Sequence, residues 1–86
     1  MTTQSAEILG LDALAWLAGD VGRLERFMNA CGIERSALQV LANQPETIVA
    51  VVEFLLANED LLVAFCDGSS IRPDAVQQAQ RLLGGA

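Results

Sequence analysis

The side chains of this 86-residue chain best suited to chemistry are eleven carboxylates, five arginines, Cys31, Cys66 and the serines Ser69 and Ser70, with no lysine, histidine or tyrosine beside them. That set lacks an imidazole titrating near neutrality, an amine for a Schiff base, and a phenol to relay a proton. Carboxylates alone run acid–base chemistry where two face each other with their pKa values driven apart. Here most sit at apparent helix ends, where an acidic residue already has a structural role. Glu59, Asp60 and Asp67 lack the alternating ligands and central glycine of a calcium loop. Ser69 and Ser70 read as a polar loop before a helix. Cys31 and Cys66 read as reduced core thiols near helix C-termini, where the negative end of the dipole opposes thiolate formation. The expectation is therefore no catalytic residue, no cofactor and no metal.

Charge narrows the partners. The formal net charge is −6, and Arg23, Arg26, Arg35, Arg72 and Arg81 carry all the positive charge. Nucleic-acid binding relies on clustered cations that release counterions, and anionic lipid surfaces repel an acidic chain, so neither nucleic acid nor a membrane is an expected partner. The start, MTTQSAEILG, has no basic region ahead of an apolar run, and the most apolar stretch, 48–57, contains Glu53 and ends in Asn58, Glu59 and Asp60. It falls short of the ~20 apolar residues of a span, and a cytoplasmic location is expected. A mean hydropathy of +0.38 is high for a small chain, so some apolar surface is expected to remain for another protein or a second copy. Candidate partner-binding residues are Trp16 as a large aromatic anchor, Arg23 and Arg26 on one helix face, and Val49, Val52 and Leu56 on a second apolar face of the central helix.

Apolar residues recur at spacings of three and four, and nothing alternates with period two, so the chain is expected to be all-α: a compact bundle of five or six short helices. The first helix is expected over 6–18, capped by Ser5, with Ile8, Leu11, Leu14 and Ala18 inward, and the termini 1–5 and 84–86 frayed. Asp20 caps a second helix that Gly32 and Ile33 end in a Schellman turn. A third covers about 35–42. Pro45 opens the fourth, over 45–57, apolar on nearly all sides and therefore central. Asn58 is expected to cap a fifth helix over 59–66, DGSSI to form a loop, and Pro73 to open the last. Leu24, Phe27, Val51, Phe54, Leu55, Leu62 and Phe65 are the expected core.

The chain also matches itself. At a separation of 38 residues Leu17, Leu24, Phe27, Ile33, Ala37 and Gln39 meet Leu55, Leu62, Phe65, Ile71, Ala75 and Gln77 as identities. Two pseudo-repeated three-helix units about a twofold axis would produce this pattern. Convergence of similar hairpins on similar residues would also produce it.

ALAWLAGD (13–20), the Arg26–Phe27 pair, the turn at Cys31–Ile33 and EFLLANEDLLVAF (53–65) together resemble a family of short, uncharacterised bacterial all-helical proteins. The resemblance implies the helical fold and brings no site residue with it. Two functional readings follow: a non-enzymatic interaction or regulatory module, and a helical binder of a small apolar ligand.

Overall fold

Each expected punctuation mark acts near its place, and six helices result. The computed structural model describes residues 1–42 and 44–84, with α1 over Thr3–Ala18, α2 over Val21–Cys31, α3 over Arg35–Leu41, α4 over Pro45–Ala57, α5 over Glu59–Ser69 and α6 over Pro73–Leu83. The chain is all-α, and no strand occurs among the described residues. Its radius of gyration, 11.7 Å, is close to the ~12 Å expected of a compact chain of this length.

The N-terminus is more ordered than expected. Thr2, not Ser5, caps α1: the Ser5 amide donates to Thr2 Oγ1 at 3.1 Å and the Thr2 amide donates to Ser5 Oγ at 2.9 Å, a reciprocal capping box. Residues 3–5 are thus helical rather than frayed. Gly84 turns at the end of α6, and the expected fraying of 85–86 lies outside the described residues. Asp20 caps α2 by accepting from the Arg23 amide. Asn58 breaks the chain between α4 and α5 but does not cap α5. Its side chain instead donates to the Phe54 carbonyl at 2.8 Å, closing the end of α4. α5 then runs through Asp67 and Gly68 to Ser69, three residues beyond expectation.

The two halves share their backbone hydrogen bonds at the same separation of 38 residues. Ile33 donates to Met28 across Gly32 at φ +68°, and Ile71 donates to Cys66 across Ser70 at φ +55°. These are the long bonds of two Schellman turns, the first favoured by glycine's tolerance of positive φ. Asp20 to Leu17 and Leu24 to Asp20 are matched by Asn58 to Leu55 and Leu62 to Asn58. The likeness stops at these turns, because α6 packs against both α1 and α4 whereas α3 packs closely on neither; Gly10 and Ile48 touch at the α1–α4 crossing. A Cβ at Gly10 would run into the Ile48 Cγ2 methyl and approach Val52.

One continuous core forms around that crossing, with Leu17, Phe27, Val51, Val52, Leu55, Phe65 and Val76 fully enclosed. α4 packs against α1, α2, α5 and α6, as a central helix should. Three expectations fail. Leu62 is only half-buried. Cys31 is exposed, because it ends α2 just before the chain leaves the core. In α1 the inward residues are Ala6, Leu9, Gly10, Ala13, Leu14 and Leu17, while Ile8 and Leu11 are 52% and 41% exposed. α4 and α6 both press on α1, and its small residues allow that close approach.

Candidate functional site

Trp16 and the arginines are drawn into internal contacts. The Trp16 ring is half-buried, its edge geometry set by Phe65 of α5, and the Arg23 guanidinium lies 4.0 Å above its centroid. A cation over the indole face is favourable and covers the surface on which a partner would seat. Arg26 turns the other way. It donates to both carboxylate oxygens of Asp60, at 2.9 and 3.3 Å, and to Asn58 Oδ1 at 3.2 Å, joining α2 to the start of α5. That hydrogen bond holds the Asp60 carboxyl below the ordinary carboxylate range. The spacing of Arg23 and Arg26 puts them on neighbouring parts of one helix, but the structure gives them separate partners.

The second apolar face expected on α4 is largely closed. Val52 is fully buried, so it belongs to the core and not to a binding surface. Leu56 is half-buried against the core. Val49 is half-buried and lines an open hollow of about 220 Å³ with Pro45, Ile48, Leu82 and Leu83. The helix that closes over α4 is α6, whose Val76 and Ala79 are fully buried.

The open face lies on α1. Counting back 38 residues, Val49, Val52 and Leu56 become Leu11, Leu14 and Ala18 of α1. Beside them α3, which ends at Leu41, buries no residue fully and lies only loosely against α1. A groove of about 290 Å³ remains between Leu11, Leu14, Ala15 and Ala18 of α1, Leu38 and Gln39 of α3, and Ala42 just after it. Ile8, Leu11, Ala15 and Ala18 are all exposed, and their spacings of three and four align them along one side of the helix. Ile8, Leu11 and Ala18 were expected to face inward. The available signal was the shortness of α3, 7 residues against 11 in α6.

The thiols show no activation. Burial pushes both the Cys31 and the Cys66 thiol up from the ordinary value, reinforced by Glu53 for Cys31 and by Asp67 for Cys66. Among the described residues no three carboxylates or thiols converge on a common point. No single helix among them is long and apolar enough to cross a membrane.

The architecture defines a small protein of six packed helices, with an apolar groove between α1 and α3. The chain belongs to the family described as Protein of unknown function (DUF3572), whose model matches residues 3–86. No curated protein and no solved structure matches it.

Proposed function

We propose that this chain is a non-enzymatic helical interaction module acting in the cytoplasm of a bacterium. The observation that carries the reading is the exposed stripe Ile8, Leu11, Ala15 and Ala18 beside α3. Small soluble domains bury a continuous apolar helix face unless a partner covers it. The lack of lysine, histidine and tyrosine supports a binding role over a catalytic one. A cytoplasmic setting is supported by the exposed free thiol of Cys31, which a reducing compartment protects. The bacterial setting rests on the sequence resemblance. The ligand-binder reading has less support, since the hollow beside Val49 and the groove along α1 are both open to solvent, whereas a small-molecule site encloses most of its ligand.

Affinity capture from the native cytoplasm tests the proposal, comparing the unaltered chain with an Ile8→Ser/Leu11→Ser variant. The expected result is a partner retained by the former and lost by the latter at unchanged fold. Identical captured sets would overturn it.

A further inference from the structure

We draw no further inference here: the strongest candidate, the apolar groove between α1 and α3 along Leu11, Leu14, Ala15 and Ala18, is an unpartnered surface, and nothing in the structure shows what covers it.

Discussion

Trp16 meets Phe65 edge to face, with ring centroids 5.6 Å apart and planes inclined by 64°, and this contact has a twin in which the two halves exchange roles. Phe54, the counterpart of Trp16, meets Phe27, the counterpart of Phe65, at 5.4 Å and 70°. The exchange is confined to these rings, because α6 packs on α1 and α4 and α3 has no matching place. Edge-to-face packing is favoured by the ring quadrupole, so each half clasps the other through one aromatic pair. The α1–α4 crossing lies between the two clasps.

Replacing Phe54 or Phe65 with alanine is therefore expected to destabilise the fold by about 3–5 kcal/mol. Both rings are buried, and each anchors one clasp. In milder leucine replacements, the Phe27–Phe54 pair should show a coupling of about 0.5–1.5 kcal/mol beyond lost burial. Chemical denaturation of the single and double variants measures it. Additivity within the error of the cycle would mean that the rings act as separate core fillers.

At the α1–α4 crossing, Gly10 is required by space and not by backbone conformation. Gly10→Ala should cost about 1–3 kcal/mol through overpacking against Ile48. The cost should shrink when Ile48→Ala removes the opposing methyl, so the double variant should be more stable than the sum of the singles. A fully additive pair in thermal or denaturant melts would mean that Gly10 and Ile48 do not press on each other in solution.

The contrast between α1 and α4 explains which parts of the fold were legible in the sequence. Asp20, Gly32, Pro45, Asn58 and Pro73 mark their boundaries through local backbone chemistry, which needs no tertiary information. The inward face of α1 was not legible, because apolar residues surround it and the spacing of Ile8, Leu11 and Leu14 is as regular as that of Ala6, Leu9 and Ala13. Close packing by α4 and α6 selected the face with the small residues. The open groove was hidden for the same reason. A second apolar face was expected, but on α4, where α6 closes it; α3 is too short and too loosely packed to close the one on α1.

The Arg26–Asp60 contact gives a pH test. Its hydrogen bond lowers the Asp60 pKa in the folded state, so its contribution to stability is present above the unfolded aspartate value and is lost as pH falls through the lower folded value. Carboxyl NMR should show Asp60 titrating below its position in an Arg26→Gln variant. Coincident titrations would mean that the ion pair does not persist in solution.

Cys31 and Cys66 should differ in access and share slow intrinsic reactivity. Both thiols are pushed up, first by desolvation and then by a neighbouring carboxylate, so alkylation should accelerate only at a pH above that of an unperturbed thiol. Cys31 is exposed and should be modified in the native state, while buried Cys66 should wait for opening of the core. Glu53→Gln should speed modification of Cys31 at fixed pH. Timed alkylation read by mass spectrometry decides it, and native modification of Cys66 at the rate of Cys31 would contradict the burial of α5.

The helix that leaves the groove open should also be the first to open. α3 has seven residues, no fully buried side chain and no side-chain cap at Glu34, so few interactions oppose its local unfolding. Isolated helices of that length are marginal in water. Amides of Leu38 to Leu41 are expected to exchange with solvent well before those of Val51 to Leu55 in α4, whose side chains, apart from Glu53, are buried. Native-state hydrogen exchange gives the comparison. Protection of α3 equal to that of α4 in the free chain would mean that α3 is held by contacts other than this groove.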